Sequence, residues 1–215
     1  MRQRQKFLIP AMILAVALSG CTDDDGKEEP QGESSATVCG AFAERPDVAS
    51  ALQEVTGTDS FTENRSKPGE TLQSLRSADG KIEGEEILGS PYCRLQSTDD
   101  GKEVLAINFR EAVAVNKSDT DDEQIFTFYK TGESAYASEH TAALYFRCRM
   151  SAPAKEILIH ADLERFRKVE ASDIRLSRAN ILVLNAAALE VASELGCSSP
   201  ELVSEAPRPV SGLHA

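Results

Sequence analysis

The sequence predicts an α+β fold, an antiparallel β-sheet of about five strands packed against a long C-terminal helix and a short N-terminal helix. Three observations lead there. Apolar residues alternate with polar ones in several short runs between Tyr92 and Leu163, the two-residue period of half-buried strands. Apolar residues recur at helical spacing in 46–55 and 172–195, on either side of those runs. Four cysteines, Cys39, Cys93, Cys148 and Cys197, bracket the whole region.

The elements follow in order. Pro46 to Val55 has Pro near its start and Gly57 past its end, which predicts a first, short amphipathic helix. Thr58 to Gly89 is polar and without sustained period, save that 71–78 suggests a helical turn or two. Tyr92–Ser97 and Lys102–Arg110 flank Thr98-Asp99-Asp100-Gly101, and Leu105, Ile107 and Phe109 alternate along the second arm, so the two form a hairpin. Asn116 to Glu123 reads as an acidic loop, Ile125 to Lys130 as a β-branched and aromatic strand, and Gly132 to His140 as a polar connection. Ala142–Met150 and Ile157–Leu163 make two more strands around a turn at Pro153, although 157–166 also admits a helix. Ser172 stands at the N-cap of the last helix, whose apolar face comprises Ile181, Leu184, Ala188, Val191, Ala192 and Leu195, with Gly196 placed to end it.

The N-terminus carries the most specific signal. Arg2, Arg4 and Lys6 precede an apolar run from Phe7 to Leu18, and Leu18-Ser19-Gly20-Cys21 closes it. As a helix that run rises only about 18 Å against a hydrocarbon core of about 30 Å, so it is a targeting segment and not a span. The four residues resemble the lipobox of bacterial lipoproteins. That resemblance implies cleavage before Cys21, a diacylglyceryl chain on its thiol and acylation of its new amino group. Two or three acyl chains anchor a protein durably where one does not. The reading therefore divides the chain into a signal peptide at 1–20, a lipidated tether at 21–37, one globular domain at 38–197 and a frayed tail at 198–215.

Charge and composition fit export. Lys and Arg number 23 against 35 Asp and Glu, for a net charge of −12. Removing three basic residues with the signal leaves 20 against 35, or −15. That sign argues against nucleic acid and anionic lipid surfaces as partners. Asp23, Asp24, Asp25, Glu28, Glu29 and Glu33 against Lys27 make 22–37 an acidic, apolar-poor tether with a coil dimension of about 22 Å. An even cysteine count in an exported chain, without C-x-x-C, reads as two disulfides. Cys93 and Cys148 both fall on apolar strand faces, so of three connectivities the alternation favours Cys93–Cys148 with Cys39–Cys197. The layout resembles small uncharacterised four-cysteine lipoprotein domains of actinobacteria, which implies an envelope protein and brings no catalytic motif with it.

The sequence carries no G-x-S-x-G, H-E-x-x-H, P-loop or G-x-G-x-x-G, and has three histidines, His140, His160 and His214. Zinc at His160 and Glu164 needs helical spacing in a segment read as strand, and has no evident third ligand. Asp119, Asp121, Asp122 and Glu123 lack the Gly and Glu of a calcium loop, with Gln124 and Lys130 in those places. No cofactor or metal is expected. With no Trp and four Tyr, the aromatic platforms of sugar binding are sparse.

One positive feature remains. From Arg147 to Arg178 eight basic residues face five acids, a net +3 in an acidic protein. Arg147 and Arg149 fall on the strand face opposite Cys148, and Arg175 and Arg178 near the start of the last helix, a place that favours anions. Together they form a candidate site for an anionic ligand or an acidic envelope protein. The chain thus reads as a monomeric, non-catalytic lipoprotein on the extracytoplasmic membrane face, binding a partner or ligand. The alternative is a lipid-anchored hydrolase without a familiar motif, which a pocket holding a histidine beside a serine or an acid would favour.

Overall fold

A computed structural model describes residues 32–40, 42–63, 65–79, 91–115 and 126–210. Cys21, the acidic loop at 119–123 and His214 lie outside them.

The class is α+β, with a single antiparallel sheet. In chain order the strands are β1 (Glu33–Ser34), β2 (Ser60–Glu63), β3 (Cys93–Ser97), β4 (Glu103–Ala112), β5 (Thr127–Lys130), β6 (Ser134–Ala137), β7 (Thr141–Ser151), β8 (Ala154–Arg165) and β9 (Arg208–Pro209). The helices are α1 (Pro46–Thr56), α2 (Pro68–Ser77) and α3 (Asp173–Leu195). The sheet runs β1-β2-β3-β4-β8-β7-β6-β5-β9, so the two long strands β7 and β8 sit at its centre. All five expected strands are present, and four more join them. β1, β2, β6 and β9 are only two to four residues long. A run that short shows no period, and backbone pairing to a neighbour is enough to hold it.

The register places every other residue of the central strands on one layer. Leu144, Phe146, Cys148 and Met150 of β7 face the same side as Ile157, Ile159, Ala161 and Leu163 of β8, all at most 3% exposed. α3 lies across this face, and α1 packs on α3. That is why α3 is buried well beyond the expected stripe, with Ala179, Val183, Ala186 and Ala187 also inside. Gly57 ends α1 and Gly196 ends α3 in the left-handed conformation expected of a C′ glycine. Ser172 occupies the N-cap of α3 with extended backbone, but its side chain makes no capping bond.

Buried polar residues on α3 fix how it lies. Ser177 Oγ donates to the Ala137 carbonyl at 3.0 Å, and Asn180 Nδ2 donates to the carbonyls of Ser138 and Glu139. Asn185 accepts from Thr131 Oγ1 at 2.6 Å and donates to the Val203 carbonyl at 2.8 Å. Each such bond contributes about 1 kcal/mol, and leaving a partner unpaired costs more.

Three expectations are corrected. The disulfides are Cys39–Cys93 and Cys148–Cys197, with Cα separations of 5.3 and 4.8 Å. Cys93 and Cys148 do share a face, but β4 and β8 intervene between β3 and β7. Three strand spacings are about 14 Å, twice the reach of a disulfide. The tail is not frayed over 198–210: Ser198 bridges Arg149, Gly132 N–H donates to the Glu201 carbonyl, and β9 pairs with β5. The tether also ends earlier than expected, because Glu33 and Ser34 already pair with β2. Residues 154–165 form a strand, so His160 and Glu164 lie about 13 Å apart and not on adjacent helical turns.

Candidate ligand cleft and the basic residues

The four arginines singled out from the sequence do not form one site. Arg147 and Arg149 are exposed on the sheet face opposite Cys148, as expected. Both are held by acids: Arg147 pairs with Glu133 and Glu156, and Arg149 Nη2 lies 2.7 Å from Glu156. They border a hollow of about 200 Å³ that Glu133, Glu156 and Glu201 also line. Arg175 pairs with Glu54 of α1 at 2.9 Å, and Arg178 is exposed near Tyr129. The disulfide holds the C-terminal end of α3 at Cys148, next to Arg147 and Arg149, so about 27 Å of helix separates them from Arg178. Exposed ion pairs of this kind contribute at most about 1 kcal/mol each.

A larger concavity lies at the opposite end of α3. β8 ends at Arg165, whose side chain continues the inward-facing series of Ile159, Ala161 and Leu163 and is 6% exposed. A guanidinium buried there needs partners, and three backbone carbonyls supply them. Nε donates to Val55 at the end of α1 (2.6 Å), Nη1 to Glu139 in the β6–β7 turn, and Nη2 to Arg167 (3.1 Å). Burial pushes the Arg165 pKa down, and the charge of nearby Glu139 opposes the shift.

From Arg165 the chain runs through Phe166 to Ser172 into α3, and this segment walls a cleft of about 700 Å³. Glu139 and His140 form the facing wall, and Leu176 lines it from α3. The size suits a small-molecule site. His140 Nε2 lies 3.1 Å from Glu139 Oε1, Arg167 pairs with Asp100 at 3.2 Å, and Phe166 is 46% exposed. Arg165 and Lys168 are two of the eight basic residues between Arg147 and Arg178, and their connection to a cleft is not legible in the sequence. The one available signal was the end of an apolar strand series in a charged residue.

His160 is occupied differently. Its ring stacks on Tyr145 with centroids 4.4 Å apart, and its Nδ1 accepts from Arg110 Nε at 3.0 Å, which leaves the proton on Nε2. Burial pushes its pKa down to about 4, with Asp162 opposing and Arg110 reinforcing the shift. Neither His140 nor His160 hydrogen-bonds a serine hydroxyl through its imidazole among the described residues. No group of three His, Cys, Asp or Glu that could hold a metal ion occurs among them either.

No family model, curated protein or solved structure matches this chain.

Proposed function

We propose that the chain is a lipid-anchored, non-catalytic binding protein on the extracytoplasmic face of a cell membrane, with the cleft between Glu139 and Leu176 as its ligand site. The observation that carries this reading is the use of the five cysteines. Four are consumed in two disulfides, which persist in oxidising compartments, and the fifth, Cys21, closes the stretch that resembles a lipobox. The 12 residues from Cys21 to Glu33 of β1 span at most about 40 Å, so a lipid on Cys21 keeps the domain close to the bilayer. Detergent phase partition tests the anchor. The native chain enters the detergent phase and Cys21→Ala stays in the aqueous phase; a Cys21→Ala chain that still partitions into detergent contradicts the reading.

One observation favours the alternative. His140 and Glu139 are paired and line the cleft, the arrangement of a base and its orienting acid in a hydrolase. Against it, both belong to one exposed turn, with side chains 64% and 42% exposed, which leaves the imidazole little held. Hydrolysis of an ester panel that His140→Gln abolishes would favour the enzyme.

A further inference from the structure

Around the cleft, cationic and acidic side chains are equal in number but unequal in position. Arg165 is 6% exposed, whereas Glu170 and Asp173 are exposed and the Glu139 side chain, whose charge reaches Arg165, is 42% exposed. Water screens the exposed acids more than the buried cation, so Arg165 acts on a ligand in the cleft with less screening than those acids do.

The bonding of Arg165 points the same way. A guanidinium has five N–H donors, and three of them go to carbonyls, which leaves two at a residue that lines the cleft. Its three partners are neutral, and no carboxylate lies within ion-pair distance of it among the described residues. Lys168, exposed on the cleft wall, makes no ion pair there either. α3 starts at the same place without a side-chain cap, adding the partial positive charge of a helix N-terminus. Phe166, Val169 and Leu176 supply apolar surface beside these groups.

We propose that the cleft takes an oxyanion, a carboxylate or a phosphate, carried on an apolar body. The anion sits at Arg165 and Lys168, and the body lies against Phe166, Val169 and Leu176. This rests on the binding reading above and assigns it a ligand class.

Backbone amide NMR of the full chain, titrated with benzoate, neutral benzamide and inorganic phosphate, tests it. Benzoate shifts the resonances of 165–173 saturably, and benzamide binds at least tenfold more weakly, the scale of a charge-assisted hydrogen bond. Phosphate competes with benzoate but more weakly, because it lacks the apolar body. Lys168→Glu, at an exposed side chain without an ion pair among the described residues, weakens benzoate about fivefold. Arg165→Lys keeps the charge and removes the planar fork, and also weakens it.

Equal binding of benzamide and benzoate overturns the ligand class while leaving a ligand cleft standing. Phosphate binding as tightly as benzoate overturns the apolar half. If no compound shifts 165–173, both the ligand class and the cleft as a site fall, and only the anchor, tested at Cys21, remains.

Discussion

Cys148 on β7 and Cys197 just past the end of α3 are joined with their Cα atoms 4.8 Å apart, so the C-terminal end of the central helix is fixed to one of the two central strands. Cys39–Cys93 does the same for the N-terminal segment and β3. The loops closed span 54 and 49 residues, and by the chain-entropy argument each bridge contributes about 4 kcal/mol. A non-reduced peptide map is expected to link Cys39 to Cys93 and Cys148 to Cys197. A peptide joining Cys93 to Cys148 would refute the sheet order. Replacing Cys148 and Cys197 together by Ala is expected to cost about 2–4 kcal/mol in urea denaturation.

His160 gives the protein a defined response to acid. Its pKa lies at about 4 in the folded chain, against 6.5 when unfolded. Between those values the unfolded chain binds the proton and the folded chain does not. Stability is therefore full above about pH 6.5 and falls as pH drops toward 4, by on the order of 3 kcal/mol in total. Urea denaturation at pH 7 and pH 4.5 is expected to show a larger loss for the native chain than for His160→Gln. Parallel losses would show that His160 is not the group responsible.

Gly132 stands where a side chain has no room. Its φ is +57°, and a Cβ there would come within 2.3 Å of the Tyr145 carbonyl oxygen. Gly101, in the β3–β4 hairpin, has a similar φ of +65° but open space around it. Gly101→Ala is expected to cost about 1 kcal/mol, the strain of a left-handed Ala, and Gly132→Ala at least about 2 kcal/mol more. Thermal melts of the two variants, read side by side, check the difference; equal melting temperatures contradict it.

Much of this architecture is visible in the residues themselves. Pro46 and Gly57 mark the ends of α1, alternation finds β4, β7 and β8, and Gly196 ends α3. What stays hidden depends on contacts between distant residues. Cys93 and Cys148 show in sequence that they face one layer, but not that two strands stand between them. Arg208–Pro209 looks like tail because its order comes from pairing with Tyr129 and Lys130, far back in the chain. The site behaves alike: the excess of arginines is legible, whereas their partners Glu133, Glu156 and Glu54 arrive from other elements. Arg165 looks like one more surface cation until Val55, Glu139 and Arg167 are seen to enclose it.

The C-terminal segment contributes to the fold through Asn185. It bonds both Thr131 and the Val203 carbonyl, so Asn185→Ala leaves Thr131 without its side-chain partner and loosens Val203, which keeps only its N–H bond to Thr131 Oγ1. A loss of about 2–3 kcal/mol is expected, with faster hydrogen exchange at Val203. Unchanged exchange there would mean that Thr131 Oγ1, which accepts from the Val203 N–H at 3.3 Å, holds the segment without Asn185.

The central claim is that Cys21 carries the lipid that places this domain at a membrane. Mass spectrometry of the N-terminal peptide, taken from the membrane fraction of cells expressing the full sequence, measures it directly. The account predicts a peptide that begins at Cys21 and carries the mass of a diacylglyceryl group. A peptide that retains Met1 to Gly20, or begins at an unmodified Cys21, would contradict it.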